Sequence, residues 1–352
     1  MTAADAFLCG VVEGYYGRLW PFDTRLAYAE YLRQAGLNTF IYCPKGDAYL
    51  RRCWHEHWPD SEWRQLKKLA EAYRKRGLYW GVGLSPFALY QDYSASQRAL
   101  LKKKLQQLAD LEAPLLAILF DDMPGDVPDL AARQADIVAD VCDWSGADRI
   151  LVCPTYYSFD PVLEKHFGSM PQNYWARLGR ELPDRVDIFW TGNRVCSDSI
   201  TAADIESINH LLGRRVTLWD NYPVNDGACR SNYLYCHPLS DRDRSLEPLL
   251  KGHLCNPMNQ GLLSLPALAG LASLYSGFRE AEAWLESALG KRTWRLLRHD
   301  RELFQRNGLS GLDASRREQL ASQYQALAGQ AAGEVAGWLR GEYTFDPACL
   351  TD

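Results

Sequence analysis

Leu115-Leu116-Ala117-Ile118-Leu119-Phe120-Asp121-Asp122 is an apolar run that ends in two acidic residues. A short, continuous apolar run bounded by polar residues is typical of a strand buried on both faces, as in parallel sheets covered by helices. Two adjacent carboxylates at the end of such a strand raise the pKa of one member, so that an acid lies beside an ionised carboxylate. A helix cap or an exposed acidic pair would also explain the two aspartates taken alone.

The same alternation of apolar runs and amphipathic segments continues through the first three-quarters of the chain. The predicted strands are 7–13, 38–43, 79–84, 115–120, 149–153, 187–191, 215–219 and 252–255. The helical segments between them include 22–35, 61–76, 96–111, 130–144, 171–182 and 202–212. Eight such units in about 275 residues fit the size of a (β/α)₈ barrel. We therefore predict an α/β fold, a TIM barrel over residues 1–275, with a doubly wound open sheet as the alternative.

Residues 276–352 follow a helical pattern only, which predicts a small C-terminal helical region of about three helices. Ser315-Arg316-Arg317-Glu318 has the form of a capping box, which marks the start of a helix. Behind it, apolar residues recur at three- and four-residue spacing on one predicted face. These residues are Leu320, Tyr324, Leu327, Ala331, Val335 and Trp338. This face would pack either on the barrel or on another copy of the chain in a homodimer.

The composition limits the classes of function. The chain has 352 residues, 47% of them hydrophobic, and a net charge of −5 without long blocks of one sign, which argues against a nucleic-acid or membrane partner. With only Met1–Ala6 before the first predicted strand, we expect no secretory signal, and we interpret the ten cysteines as reduced thiols of a cytoplasmic protein. No spacing of cysteine or histidine indicates a metal site, and Gly10–Gly17 does not match the dinucleotide-binding glycine pattern. We expect neither metal nor cofactor.

Polar and aromatic residues follow seven of the eight predicted strands. In a (β/α)₈ barrel the active site lies at the ends of the strands, where these residues would meet. The segments are Glu13–Arg18, Pro44–Asp47, Asp121-Asp122, Pro154–Tyr157, Gly192-Asn193, Asp220-Asn221 with Asn225-Asp226, and Asn256-Pro257. Single polar residues at strand ends are common turn formers, but their recurrence at seven ends predicts one shared site.

The ordered segments resemble the catalytic domain of the family 84 glycoside hydrolases, the protein O-GlcNAcases and related bacterial β-N-acetylglucosaminidases. The similarity covers roughly residues 7–275. It rests on GVVEGYYGR (10–18), NTFIYCPK (38–45), LFDD (119–122), CPTYY (153–157), WTG (190–192), WDN (219–221) and the pairs 225–226 and 256–257. The resemblance implies a retaining exo-acting enzyme that removes terminal β-linked GlcNAc from a glycoprotein or other glycoconjugate. The nucleophile would be the acetamido oxygen of the substrate, which forms an oxazoline intermediate.

The resemblance also implies the roles of the two catalytic residues. Asp121 would bind the acetamido N–H in its ionised form and stabilise the positive charge that develops as the oxazoline ring closes. Asp122 would protonate the leaving oxygen and later deprotonate the attacking water, so its pKa should be raised. Because adjacent residues of a strand point to opposite faces, the strand must end near Asp121 for both to reach one ligand.

The remaining residues carried over by the resemblance would bind the sugar. Tyr157 and Asn221 would hold the acetamido group, and Trp219 would form an apolar wall beside it, although Trp219 also fits a core position on the seventh strand.

On the far side of the ring, Asp226 and Asn256 would bind the 4- and 6-hydroxyls. Lys45 and the backbone carbonyl of Gly14 would bind near the 3-hydroxyl, with glycine allowing the close approach.

Three other functions stay open at this point. One lies outside glycan chemistry: an aldolase or isomerase on the same kind of barrel, with Lys45 as a Schiff-base lysine. A catalytically silent GlcNAc-binding protein could use the same scaffold, because a fold alone does not guarantee activity. An endo-acting hyaluronidase would need an open cleft for several sugars instead of a pocket for one.

Overall fold

Eight parallel strands close into a barrel in the computed structural model, which describes residues 3–351. The strands β1–β8 are Leu8–Glu13, Thr39–Tyr42, Tyr79–Leu84, Leu115–Leu119, Arg149–Cys153, Val186–Trp190, Thr217–Asp220 and Gly252–Cys255. Each strand pairs with the next, and β8 closes the ring on β1, where Leu8 pairs with Gly252. The predicted TIM barrel is confirmed, and the open-sheet alternative is wrong.

Helices cover the barrel between successive strands. The helices α1–α8 are Phe22–Ala35, Asp60–Arg74, Ala95–Ala109, Leu130–Trp144, Val162–Phe167, Tyr174–Glu181, Ala202–Leu212 and Leu265–Tyr275. Most predicted bounds hold to within two residues. The segment 171–182 begins three residues later than predicted, because a turn at 171–173 precedes the helix, and α5 was not predicted.

Two buried ion pairs tie the barrel together at its two ends. Arg149 at the start of β5 pairs with Asp187 of β6 and also donates 2.5 Å to the carbonyl of Ala6, which fixes the segment that leads into β1. At the opposite end Arg25 of α1 pairs with Glu13 at the end of β1, 2.6 Å apart and fully shielded from water. Removing one partner of such a pair would leave a buried charge uncompensated. The Glu13 pair therefore fixes the point where β1 passes into its loop.

Within the described residues, four further helices follow the barrel, where about three were predicted. The helices α9–α12 are Ala281–Leu289, Lys291–Arg306, Ala314–Gln325 and Gln330–Leu339. The predicted capping box is wrong: Asp313 is the N-cap of α11, and its carboxylate accepts the N–H of Arg316. The predicted apolar face is divided between α11 and α12, and Leu327, which lies between them, is only partly buried.

The C-terminal helices pack on the barrel of the same chain. Glu334 of α12 is buried and accepts the N–H groups of Leu262 and Leu263, at 2.9 and 3.2 Å, just before α8 begins. Gln330 donates 2.7 Å to Thr24 of α1. A carboxylate at these free backbone N–H groups satisfies donors that the following helix leaves without partners. The division of the chain after residue 275 and the homodimer stay predictions.

Candidate active site

One pocket at the carboxyl end of the barrel collects residues from the ends of seven strands. All nine residues predicted for the site line it: Gly14, Lys45, Asp121, Asp122, Tyr157, Trp219, Asn221, Asp226 and Asn256. The lining also includes residues that were not predicted: Tyr16, Cys153, Thr191, Val195, Cys196, Val224, Arg230, Cys349 and Thr351. Among the nine predicted residues, the barrel brings together positions up to 242 residues apart, Gly14 and Asn256.

Asp121 and Lys45 form a buried ion pair in this pocket. Lys45 Nζ lies 2.5 Å from Asp121 Oδ2, and the two side chains are 2% and 8% exposed. Removing either partner of so close and so shielded a pair would leave the other charge buried without compensation. Asp121 Oδ1 is also buried and has no hydrogen-bond partner within residues 3–351. Because such an oxygen costs about 1–3 kcal/mol when left unsatisfied, it is suited to accept a donor from a ligand.

Asp122 lies on a sharp turn directly after β4. The strand ends at Leu119, and Asp122 has a φ of 55°, in the left-handed region. Asp is one of the few residues other than glycine that adopts this conformation with any frequency. The turn interrupts the strand alternation, so both carboxylates reach the same pocket. The expectation that the strand ends at the acidic pair is confirmed.

Two tyrosine hydroxyls donate to the Asp122 carboxylate. Tyr157 reaches Oδ1 and Tyr16 reaches Oδ2, each at 2.8 Å. Burial and the neighbouring charge of Asp121 raise the pKa of Asp122, although Lys45 and the Tyr157 hydrogen bond act in the opposite direction. Asp122 therefore keeps its proton to a higher pH than an ordinary aspartate.

Arg51 supports the backbone of the acidic pair from below. Its guanidinium donates to the carbonyl of Asp122 at 2.8 Å, to that of Asp121 at 3.3 Å, and to Ser85 at 2.7 Å. The side chain is buried and does not line the pocket. Because the guanidinium is planar and rigid, its N–H groups hold these two successive carbonyls in one orientation. Arg51 therefore fixes the turn that carries the two carboxylates.

Side-chain amides fix the opposite wall. Asn221 Oδ1 accepts from Trp219 Nε1 at 3.0 Å and from Asn256 Nδ2 at 2.9 Å, while Asn221 Nδ2 donates 2.8 Å to the carbonyl of Val195. Asn256 Oδ1 in turn accepts the N–H of Gly14 at 3.1 Å. The second N–H of the Asn221 amide is the group left for a ligand.

Gly14 has a different reason to be glycine from the one predicted. A Cβ at Gly14 would lie 2.1 Å from Cζ2 of Trp219 and 2.4 Å from its Cη2. The indole occupies the space next to the backbone, so glycine is required by the packing of Trp219, whether or not a sugar approaches. Trp219 is itself 4% exposed and lines the pocket, so it is a buried residue of β7 that also forms part of the pocket wall.

Behind β7 a buried charged group lies next to this wall. Asp220 forms an ion pair with Arg242 at 2.7 Å and accepts a hydrogen bond from Nε2 of His253 of β8 at 3.0 Å. Burial disfavours the charge on Asp220, but Arg242 and His253 outweigh that effect and lower its pKa to about 2. This charge anchors β7 at the residue before Asn221.

The matches to known proteins agree with this site. A sequence profile of β-N-acetylglucosaminidases matches residues 9–291, which include all of the barrel except the first residue of β1, and the carboxyl ends of all eight strands. The chain belongs to the β-N-acetylglucosaminidase family. The family predicted from the motifs is thereby confirmed.

Individual members of the β-N-acetylglucosaminidase family show how far the similarity extends. The protein O-GlcNAcase of Rattus norvegicus is 30% identical over 282 residues, and that of Mus musculus is 30% identical over 281. Each alignment covers 77% of this chain, which spans only 30% of the length of either mammalian relative. A mutant of the Thermobaculum terrenum O-GlcNAc hydrolase superposes with a TM-score of 0.76 at 26% identity. That match covers 95% of this chain and 81% of the other, so it includes helices beyond the barrel.

Several residues that line the pocket of this chain were not predicted from the sequence. Of these, Tyr16 makes the most direct contact with Asp122, the predicted acid. Tyr16 follows β1 in a segment that carried the family resemblance, so its position could have indicated a site residue. Its contact with Asp122 could not have been predicted, because the two residues are 106 positions apart in the sequence. Cys349 and Thr351 gave no signal, because they lie in a segment without periodicity. Within residues 3–351 no helix is long and apolar enough to cross a membrane, and no group of three His, Cys, Asp or Glu side chains could hold a metal ion.

Proposed function

We propose that this protein is a retaining exo-β-N-acetylglucosaminidase of the O-GlcNAcase type that acts by substrate assistance. The observation that carries the proposal is the contrast between the two adjacent aspartates. Asp121 is paired with a buried lysine and has one unsatisfied oxygen, whereas the pKa of Asp122 is raised. One pocket thus holds an ionised acceptor for an acetamido N–H and a proton donor for the leaving group.

In the first step the acetamido oxygen of the substrate attacks the anomeric carbon, and the bond to the aglycone oxygen breaks. The proton of Asp122 moves to that oxygen, while the charge of Asp121 stabilises the positive oxazolinium ring. In the second step water attacks the anomeric carbon and gives its proton back to Asp122, and the acetamido group is restored. Two inversions at the anomeric carbon give net retention. The proton that Asp122 gives to the aglycone is replaced by one from water, so the enzyme returns to its initial state.

Through Tyr157, binding of the substrate would change the pKa of Asp122. Its single hydroxyl proton is donated to Asp122 at 2.8 Å. If the acetamido oxygen takes that hydrogen bond on binding, Asp122 loses a donor that stabilises its charged form. Its pKa then rises further, which favours the acid at the moment when the leaving group needs a proton.

The remaining assignments belong to the same proposal. Asn221 would contact the acetamido group with its second amide N–H, and Trp219 would form the wall beside it. Asp226 and Asn256 would bind the 4- and 6-hydroxyls, and Lys45 would contact the 3-hydroxyl while it pairs with Asp121. The names of the mammalian and bacterial relatives support a GlcNAc-bearing protein as substrate, and the cytoplasm remains the compartment that we predict.

The test is hydrolysis of an aryl β-GlcNAc and of the matching aryl β-glucoside, with the first-formed anomer followed by NMR. We expect turnover of the GlcNAc substrate alone and initial release of the β-anomer, because the glucoside has no acetamido oxygen. Equal turnover of both substrates would exclude substrate assistance. A folded protein that binds GlcNAc but hydrolyses neither substrate would be the silent binding protein instead.

The two tyrosines around Asp122 allow a pH prediction. An acid with a raised pKa supplies its proton up to that pKa, so kcat/KM for a substrate with a poor leaving group should fall as the pH rises through it. Tyr16→Phe removes a hydrogen bond that stabilises the charged form, which raises the pKa of Asp122. The basic limb of the profile should therefore move up by about one to two pH units, since a bond to a charged group contributes about 1.5–3 kcal/mol.

The matched control for this prediction is Tyr156→Phe. Tyr156 is also buried, but its hydroxyl donates to the carbonyl of Gly168 at 2.6 Å and does not line the pocket. Its profile should coincide with that of the wild type. A basic limb that stays in place in Tyr16→Phe, or moves to lower pH, would contradict the assignment of this limb to Asp122.

A further inference from the structure

A segment near the end of the chain enters the pocket of the proposed active site. Cys349 and Thr351 are part of its lining, and Thr351 is only 9% exposed. The hydroxyls of Thr351 and Tyr157 are 3.5 Å apart, and Cys349 Sγ lies 3.9 Å from Asp226 Oδ1. The segment thus contacts both a residue proposed for the acetamido group and one proposed for the 4- and 6-hydroxyls.

The conformation of the segment suits this position. Its first turn is closed by Asp346, whose side chain accepts the N–H of Ala348 and whose carbonyl accepts the N–H of Cys349, each at 2.9 Å. Beyond that turn the side chains alternate: Cys349 and Thr351 line the pocket, whereas Leu350 between them is 46% exposed. An extended chain presents alternate residues to opposite sides, so two of its side chains enter the pocket and one remains outside.

The segment leaves little room for a ligand. The free volume that remains in the pocket is about 50 Å³, which holds a few water molecules but not an amino sugar. The neighbouring groove that begins at Asn221 and continues past Tyr222 has a free volume of about 570 Å³. The restriction is therefore local to the pocket, and a GlcNAc residue and the segment exclude each other.

We propose that residues 346–351 act as an intramolecular inhibitor that competes with the sugar for this pocket, an inference that rests on the proposed function. The hydroxyls of Thr351 and Tyr157 are 3.5 Å apart, at the limit of a hydrogen bond, so this contact opposes displacement of the segment only weakly. The pocket then exists in a closed and an open form, and only the open form accepts substrate. The apparent affinity for substrate is reduced by the fraction of time that the pocket is open.

The test compares Thr351→Trp with Leu350→Trp in the full chain. An indole at position 351 is too large for the remaining space, so it keeps the segment out, whereas at the exposed neighbour 350 it does not. If the pocket is open about one-tenth of the time, KM for an aryl β-GlcNAc should fall about tenfold in Thr351→Trp, with kcat unchanged. In Leu350→Trp both constants should equal those of the wild type.

Hydrogen exchange supplies a second measurement that does not depend on turnover. Saturating free GlcNAc should speed exchange at the amides of Ala348 and Cys349 in the wild type, because the displaced segment loses its turn. Equal KM values in all three proteins, or exchange at these amides that GlcNAc leaves unchanged or slows, would overturn the inhibitor and leave the enzyme intact. Failure of all three folded proteins to hydrolyse the GlcNAc substrate would overturn the proposed function and the inhibitor together.

Discussion

Asp121→Asn is expected to lower kcat/KM for an aryl β-GlcNAc by about 10²–10³-fold, the usual cost of removing one preorganised group that stabilises transition-state charge. The amide keeps the shape of the carboxylate but loses the charge that faces the developing oxazolinium. The loss should appear mainly in kcat, because the charge on the sugar is greatest in the transition state. Steady-state kinetics of wild type and variant measure the effect.

The variant also leaves Lys45 as a buried cation without its 2.5 Å partner, so stability must be separated from catalysis. Breaking a buried pair costs about 3–5 kcal/mol, and replacing both partners by neutral groups restores most of it. Asp121→Asn with Lys45→Met should therefore recover the melting temperature of the wild type without recovering activity. A double variant that regains activity along with stability would show that Asp121 acts only through folding.

Asp122→Asn should lower kcat for an alkyl or serinyl β-GlcNAc by about 10²–10⁴-fold, the range contributed by general acid catalysis. The loss should be much smaller for a dinitrophenyl leaving group, which departs without a proton. Azide should speed the variant and give the β-glycosyl azide, because a strong nucleophile needs no general base in the second step. Rates with a series of leaving groups measure the first effect, and product analysis measures the second.

Asp126→Asn is the matched control, since Asp126 lies on the same loop but is exposed and outside the pocket. Its kinetics should equal those of the wild type with every leaving group. An Asp122→Asn protein that kept full activity on the alkyl substrate, or lost activity equally with all leaving groups, would contradict the role of Asp122 as the acid.

The barrel strands could be predicted from the sequence because each is a short apolar run bounded by turn formers. The bounds of β3, β5 and β8 were predicted to the residue. Strands buried on both faces contain few polar residues, so the change from apolar to polar residues marks their ends clearly. The C-terminal region was harder. Its apolar face looked continuous across residues 320–338, but the helix is interrupted between α11 and α12. In addition, Asp313 rather than Ser315 is the N-cap of α11. Helix starts depend on a single local hydrogen bond that several nearby residues could make.

In the site, too, the residues that line the pocket could be predicted from the sequence, but their contacts with one another could not. The two aspartates, Lys45 and Tyr157 were expected from motifs at strand ends, and all line the pocket. Their pairing was not expected: Lys45 was assigned to a hydroxyl of the sugar, and the structure places it 2.5 Å from Asp121. Contacts of this kind depend on the stagger of neighbouring strands and on the path of each loop, and no local pattern encodes either.

The sequence by itself determined the barrel, because hydrophobic periodicity is a local property of the chain. Its strand-end motifs also carried the resemblance to the family, which implied the nine residues predicted for the pocket. Only the tertiary structure decided how those residues act on one another. It gave Asp122 its turn and its two tyrosine donors, made Trp219 the reason for Gly14, and brought Thr351 to Tyr157 across 194 positions. Charge state and access depend on which atoms are neighbours in space, and that is fixed only when the barrel closes.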